Sequence, residues 1–298
     1  MSIDLCVLGS GSGGNSSLLR TPSGCLLIDA GLGPRVTETR LRGSGTSVDE
    51  IRAICLTHLD HDHFNGNWIP TIVRHGIRVF VHSQRLNDLL RMALRDETRR
   101  IYRRDFKLLA QTFGTTDAFE PVESLRCRAI PLAHDRNGSH AFRLEGFGVR
   151  IGWATDLGRV PRQLIEHFAD VDVLALESNY DPAMQESSSR PWFLKRRIMG
   201  GSGHLSNEQA FEAIRAILDR SQRRRGCLPN HIVLLHRSRQ CNCPRLMRRL
   251  FRQDPRVAAR LTVADQHRRT HWLRPQRLQP AIGEQFLIEW SLSSAAAR

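Results

Sequence analysis

Apolar and polar positions along the first third of the chain fall into short runs separated by turn residues. Ile3-Asp4-Leu5-Cys6-Val7-Leu8 reads as a strand that stops at a Gly/Ser loop, residues 9–17. Residues 17–20 and 25–29 are two more strand-like runs around Thr21-Pro22-Ser23-Gly24, whose Pro and Gly suit a tight turn, so a hairpin is predicted. Ser47-Val48-Asp49-Glu50 has the S-x-x-E spacing of a capping box, in which side chain and backbone satisfy each other's orphan groups, and predicts a short helix. Residues 53–57 then read as a buried strand that runs into a histidine-rich turn.

In the middle of the chain the period changes. Leu86, Leu89, Leu90, Ala93 and Leu94 recur at helical spacing opposite a strongly basic face, which predicts one helix over residues 85–109. Strands are predicted over Leu125–Leu132, 140–144, Val149–Ala154 and 171–176. Asp181-Pro182 pairs an N-cap with a proline at the first helical position. Ser206-Asn207-Glu208-Gln209 is a second capping box, opening a helix over 208–219, and 232–235 is expected to be the last core strand. Beyond residue 246 the pattern is Arg-rich and aperiodic, with an Ala/Ser tail expected to be disordered. The order of elements predicts mixed sheets covered by helices, with a packed domain over 1–250 and an Arg-rich extension over 251–298.

Composition narrows the class. At 40% hydrophobic and 25% charged residues the chain has ordinary globular usage, which excludes a disordered polyelectrolyte. It lacks any run of ~18 apolar residues, so no membrane span is expected. Its start lacks the basic region of a signal peptide, so the cytoplasm is the expected compartment. The seven cysteines form no C-x-x-C pair; they are expected to be reduced, and Cys241-x-Cys243 is too short and isolated for a zinc site. The formal charge of +14 invites an anionic partner. All but two of the 44 basic residues are arginine, however, a compositional skew that makes charge alone a weak argument for nucleic acid.

The chemistry concentrates in Thr57-His58-Leu59-Asp60-His61-Asp62-His63, directly after a buried strand. Imidazoles and carboxylates bind divalent metals, and their alternation in a turn brings several donors into one pocket. Three further candidates stand at predicted strand ends: His134 with Asp135, Asp156 and His236. Any one of them suits a turn; together they repeat a pattern of strand, then ligand. The loop Gly9-Ser10-Gly11-Ser12-Gly13-Gly14 imitates a dinucleotide fingerprint but leads into a strand rather than a helix, so a tight loop near the metal face is expected instead.

These residues resemble the metallo-β-lactamase-fold hydrolases, whose signature is H-x-H-x-D-H after a strand followed by single His, Asp and His ligands. Within that superfamily the chain resembles the bacterial YycJ (WalJ) exonuclease branch. The matches are residues 8–16 (LGSGSGGNS), 27–31 (LIDAG), 155–158 (TDLG), 176–181 (LESNYD), 191–198 (PWFLKRRI), 203–207 (GHLSN), and His236 followed by Cys241-Asn242, so the likeness covers roughly 2–250. It implies an α/β (α+β) fold, a four-layer αββα sandwich of two mixed sheets flanked by helices. It also implies that His58, Asp60, Asp62, His63, His134, Asp156 and His236 hold two divalent ions, Asp156 bridging them. The signature's second His is Asp60 here, a harder ligand that tilts the site from Zn²⁺ towards Mn²⁺ or Fe²⁺. His61 falls at a variable slot.

The activity this implies is a metal-dependent phosphodiesterase or exonuclease acting on DNA, in which a metal-activated water attacks in line. Asp62 is expected to orient that water and His204 to protonate the leaving group; Glu177 has an open role. Asn179 and Asn242 either orient substrate phosphate or close turns. Arg91, Arg95, Arg99, Arg100, Arg103 and Arg104 either track a phosphate backbone or form a solvated helix face. Two alternatives remain open: a small-molecule hydrolase for an ester, cyclic phosphate or lactone, and a non-catalytic nucleic-acid-binding protein whose site is degenerate at Asp60. No membrane partner is expected, and the oligomeric state is left open.

Overall fold

The computed structural model describes residues 3–92, 97–225 and 227–275. One sheet holds β1 (Asp4–Gly9), β2 (Ser16–Thr21), β3 (Gly24–Ala30), β4 (Ile51–Cys55), β5 (Arg78–His82) and β6 (Ala110–Phe113) in that spatial order. It is antiparallel from β1 to β3 and parallel from β3 to β6. The second sheet holds β7 (Ala118–Val122), β8 (Leu125–Leu132), β9 (Ser139–Gly146), β10 (Val149–Ala154), β11 (Val173–Glu177), β12 (His231–Leu235) and β13 (Leu261–Val263). It is antiparallel from β7 to β10 and parallel from β10 to β13.

The helices are α1 (Pro34–Leu41), α2 (Trp68–His75), α3 (Leu86–Met92), α4 (Glu97–Arg100), α5 (Arg103–Leu109), α6 (Arg162–Phe168), α7 (Pro182–Ser187), α8 (Trp192–Met199), α9 (Asn207–Arg225), α10 (Pro244–Phe251) and α11 (Pro255–Ala258). Successive strand residues face opposite sides of a sheet, and here both sides are covered, which is why the strands read as continuous apolar runs. Leu5, Val7, Leu26 and Ile28 of the first sheet meet Val173, Ala175, Val233 and Leu235 of the second in the core between them. Their sequence neighbours Cys6, Leu8 and Leu27 face out and are buried under Trp68, Ile72, Leu89 and Phe106 of α2, α3 and α5. Leu174, Leu176, Ile232 and Leu234 are likewise buried under Leu164, Ile214 and Phe251 of α6, α9 and α10. The four layers are those of the αββα sandwich. Among the described residues no helix is long and apolar enough to cross a membrane, and all seven cysteines are unpaired.

Three expectations are corrected. The single helix over 85–109 is interrupted by a turn at Ile101-Tyr102, which separates α4 from α5; residues 93–96, between α3 and α4, lie outside the described part. The apolar stripe set by Leu86, Leu89 and Leu90 finds no buried side chain in α4, and Phe106 restarts burial against the first sheet in a new phase. Residues 232–235 are not the last core strand, because β13 pairs in parallel with β12. Nor does packing end at residue 250: Val257, Ala264 and Leu273 are buried, and Leu273 exchanges backbone hydrogen bonds of 2.9 and 2.8 Å with Leu5. These anchors are isolated among arginines, so no period betrays them. The tail expected to be disordered lies, from residue 276, outside the described residues.

Leu273→Ala should therefore cost about 2 kcal/mol in a urea unfolding curve, the low end for a buried leucine truncated to alanine. A cost within about 0.5 kcal/mol of zero, as for an ordinary surface position, would show that this segment is not part of the core.

Candidate metal centre

The residues that follow β3, β4, β8, β10 and β12, with the last residue of β11, meet at one rim of the sandwich. Several leave their strands through backbone that L-residues rarely adopt: Asp29 (φ 57°), Asp135 (φ 40°), Asp156 (φ 56°) and His236 (φ 52°). Such conformations cost about 1–3 kcal/mol each and persist only where the surroundings hold them. The surroundings here are contacts between the turns themselves. The Asn15 N–H donates to the Asp62 carbonyl (2.7 Å), the Ala30 N–H to the His63 carbonyl (2.8 Å) and the Gly31 N–H to the Asn15 carbonyl (2.9 Å). The glycine-rich loop is thus seated against the histidine turn, as its leading into a strand suggested.

Each of the four histidines at the centre is held from behind through Nδ1. His63 Nδ1 lies 2.8 Å from Asp29 Oδ2, His58 Nδ1 3.0 Å from Thr57 Oγ1, His134 Nδ1 3.0 Å from the Gly203 carbonyl and His236 Nδ1 3.1 Å from Glu177 Oε1. The Nε2 atoms then meet carboxylates: His63 Nε2 is 2.9 Å from Asp156 Oδ2, His236 Nε2 3.3 Å from Asp62 Oδ2, His134 Nε2 3.8 Å from Asp156 Oδ1 and His58 Nε2 3.8 Å from Asp60 Oδ2. An imidazole oriented through one nitrogen and offering the other is the arrangement metal-ligating histidines take.

The donors sort into two groups, His58 with Asp60 and His134, and Asp62 with His63 and His236, the atoms of each group lying within 4.8 Å of one another. Asp156 stands between them, in one cluster with His58 and His63 and in another with Glu177, His204 and His236. Nitrogen and carboxylate donors in two sets, with Asp156 against His134 of one and His63 of the other, fit divalent cations. His61 is 92% exposed and belongs to neither group, though its Nδ1 lies 3.9 Å from Asp62 Oδ1 at the mouth of the site.

Burial opposes every charge here, and the neighbours decide which charges survive. Burial pushes the Asp62 carboxyl up, but the His236 hydrogen bond and the His63 and His236 charges outweigh it and bring it down to about 2. Burial pushes His236 down, but the carboxylates of Asp156, Asp62 and Glu177 lift it to about 10. His204 is pushed down by burial and raised on balance by Glu177, whose Oε1 lies 2.7 Å from its Nδ1.

A cleft of ≈ 360 Å³ opens over the centre, lined by Asp62, Asp156, Asn179, Arg190, Arg197, His204 and His236 among others. A second, of ≈ 320 Å³, shares His134, Asp135 and Arg197 with it and adds Arg85 and Arg136. Asn179 donates to the His236 carbonyl (2.7 Å) and also reaches the cleft. Asn242 is buried behind the site, its amide donating to the Ser178 and Asn179 carbonyls (3.1 and 2.9 Å), so it closes a turn. Arg99 reaches Asn67 Oδ1 (2.7 Å) at the start of α2 and lines neither cleft, while Arg95 lies outside the described residues.

Residue-by-residue reading missed Asn15, Asp29 and Thr57 as supports of the centre. Thr57 donates to Asp29 from both N and Oγ1 (2.8 and 3.0 Å), and nothing local pairs residues so far apart in sequence. It also missed Arg136 and Arg190, whose only signal was a composition already crowded with arginine, and Arg197, which stood in the matched block 191–198 without an assigned role.

Comparison with known proteins agrees with this geometry. A family model described as a beta-lactamase superfamily domain matches residues 25–232. The exodeoxyribonuclease YycJ of Bacillus anthracis is 25% identical over 249 residues, 83% of this chain and 87% of that one. The exodeoxyribonuclease WalJ of Streptococcus pneumoniae is 28% identical over 243 residues, 80% of this chain and 83% of that one. The metallo-beta-lactamase fold protein YhfI of Bacillus subtilis superposes with a TM-score of 0.63 at 12% identity, covering 91% of this chain and all of that one.

Gly31 is where the loops touch backbone to backbone: a Cβ there would stand 1.8 Å from the Asp62 carbonyl oxygen and 2.8 Å from the Asn15 nitrogen. Gly31→Ala should cost at least about 2 kcal/mol by thermal or urea unfolding, as overpacking does when backbone must move. Gly114→Ala, whose Cβ would meet nothing within 4 Å, should be nearly neutral. Equal stability of the two variants would contradict the seating of Asp62 described above.

Proposed function

The chain belongs to the beta-lactamase superfamily, and from that premise we propose that this metal-dependent hydrolase of the nuclease and phosphodiesterase class cleaves phosphodiester bonds of DNA from an end. The observation that carries the reading is the buried Asp156 carboxylate lying between two donor groups beneath an arginine-lined cleft. The names of the two exodeoxyribonucleases support DNA as the substrate. Two divalent cations fit the donor set, His58, Asp60 and His134 holding one and Asp62, His63 and His236 the other, with Asp156 between them. The carboxylate of Asp60, standing where the family signature has a histidine, favours Mn²⁺ or Fe²⁺ over Zn²⁺. Seven unpaired cysteines are in keeping with a reducing cytoplasm.

Such cations supply Lewis-acid polarisation of a phosphoryl oxygen and acidify water. The protein's own residues do the rest. Asp62, ionised throughout the neutral range, orients the attacking water and accepts its proton. Arg190 and Arg197 hold the phosphates across the cleft. Glu177 fixes the His204 ring through Nδ1 and favours its protonated form, leaving the Nε2 proton for the departing oxygen.

Incubated with 5′-labelled DNA and Mn²⁺, Mg²⁺ or Zn²⁺, the protein should shorten the strand stepwise, and Asp62→Ala should be slower by about 10²–10⁴-fold, the usual contribution of a positioned base. No cleavage with any of the three metals on several end structures would overturn the reading. His204→Gln should lose about 10²-fold on DNA but little on a p-nitrophenyl ester of thymidine phosphate, whose leaving group needs no proton. Equal losses on both substrates would remove His204 as the acid.

A further inference from the structure

Helix α8 packs its Leu194 and Ile198 side onto Tyr180, Met184 and Cys241. Its other side is exposed and carries Trp192, Phe193, Arg196 and Arg197. Trp192 is 71% exposed and Phe193 62%, and among the described residues they are the only exposed Phe, Tyr or Trp side chains. Two adjacent large aromatics left in water forgo a sizeable burial gain and mark a surface that something else covers.

What surrounds them identifies the occupant. Residues four apart on a helix are neighbours, so Trp192 stands beside Arg196 and Phe193 beside Arg197. Arg196 has no side-chain hydrogen bond or ion pair among the described residues. Arg197 donates from Nε to Asp135 Oδ1 (2.9 Å), and both residues line the clefts over the metal centre. The face therefore alternates aromatic rings with guanidinium groups and leads into the cleft. Lys195, on the flank, is tied to the Glu186 carbonyl (2.6 Å), so the cations on this face are arginines, whose planar groups both stack and pair with phosphate.

We propose that this face of α8 is a stacking platform for single-stranded nucleic acid, Trp192 and Phe193 receiving successive bases while Arg196 and Arg197 hold the phosphates between them. Every base has a flat apolar face, so the platform is indifferent to sequence, and a base inside a duplex cannot reach it because both of its faces are already stacked. The strand entering the cleft is thereby unpaired before it meets the metal centre. The inference rests on the proposed nuclease reading for its direction, but its test does not require turnover.

Binding of a fluorescein-labelled dT15 strand to the full chain is measured by anisotropy in EDTA, alongside an abasic strand of the same length and a blunt duplex. Wild type should bind dT15 at least about tenfold more tightly than the abasic strand, the size expected of one or two stacked bases. Trp192→Ala/Phe193→Ala should bind dT15 as weakly as wild type binds the abasic strand, and Trp192→Phe should recover most of the loss. Arg196→Ala should lower the slope of log affinity against log salt by about 0.7, one phosphate contact on a single strand. Equal affinity of wild type for dT15 and the abasic strand, no binding at all, or tighter binding of the duplex would overturn the platform. So would a double variant that changes only the sedimentation of the protein, which would make this face a contact between copies of the chain. Cleavage of end-labelled DNA by wild type with Mn²⁺, Mg²⁺ or Zn²⁺ is read separately. If it fails while dT15 binding behaves as described, the nuclease reading falls and the platform stands; if it succeeds while dT15 and the abasic strand bind alike, the platform alone falls.

Discussion

A carboxylate buried in protein must be matched by positive charge or by hydrogen-bond donors, and the rim of this sandwich is organised around that demand. Asp29, Asp156 and Glu177 are almost completely inaccessible to solvent. Asp156 is the centre of the arrangement: His63 touches one of its oxygens, and His134, His204 and His236 approach the other. Leaving one such charge unmatched would cost several kcal/mol, a large fraction of a domain's whole stability. Imidazoles meet the demand in the protein alone, and divalent cations meet it better, because they bring two charges and accept several oxygen donors at once.

The second requirement is that the donors come from both sheets. The first sheet supplies Asp29 and the turn from Thr57 to His63; the second supplies His134, Asp156, Glu177 and His236. The join is sealed by hydrogen bonds that cross between them, such as Ser10 Oγ accepting from the His236 N–H (2.8 Å) and the Thr57 carbonyl accepting from the His140 N–H (3.1 Å). Close backbone approaches keep the turns in register. Gly158 abuts residues 201–203, the loop whose Gly203 carbonyl orients His134 and whose next residue is His204. The same short loop thus holds both His134 and His204 in place.

Much of the fold could be read from the chain because strands covered on both faces leave continuous apolar runs. Leu125–Leu132 and Val149–Ala154 were bounded to the residue, and each ligand position followed such a run. The seven ligand candidates meet at one rim, including Asp60, the departure from the family signature. What stayed hidden depends on contacts between residues distant in sequence. Asp29 supports His63 across 34 positions, and β13 is recognisable only by its partner β12. Arg136 and Arg190 look like any other arginine in a chain this rich in them; only the clefts single them out. The period over 85–109 misled because the turn at Ile101-Tyr102 starts a new helix whose burial is set by Phe106 rather than by the earlier leucines.

The shared carboxylate is the claim on which the site, its charge balance and the assigned chemistry all depend. It is tested by the metal content of wild type and Asp156→Asn after loading with Mn²⁺ and gel filtration, read by inductively coupled plasma mass spectrometry on chains with matching circular dichroism. Wild type should retain about two ions per chain and Asp156→Asn fewer than about one, because the lost charge belongs to both ligand groups. Equal metal content in the two proteins would contradict the account.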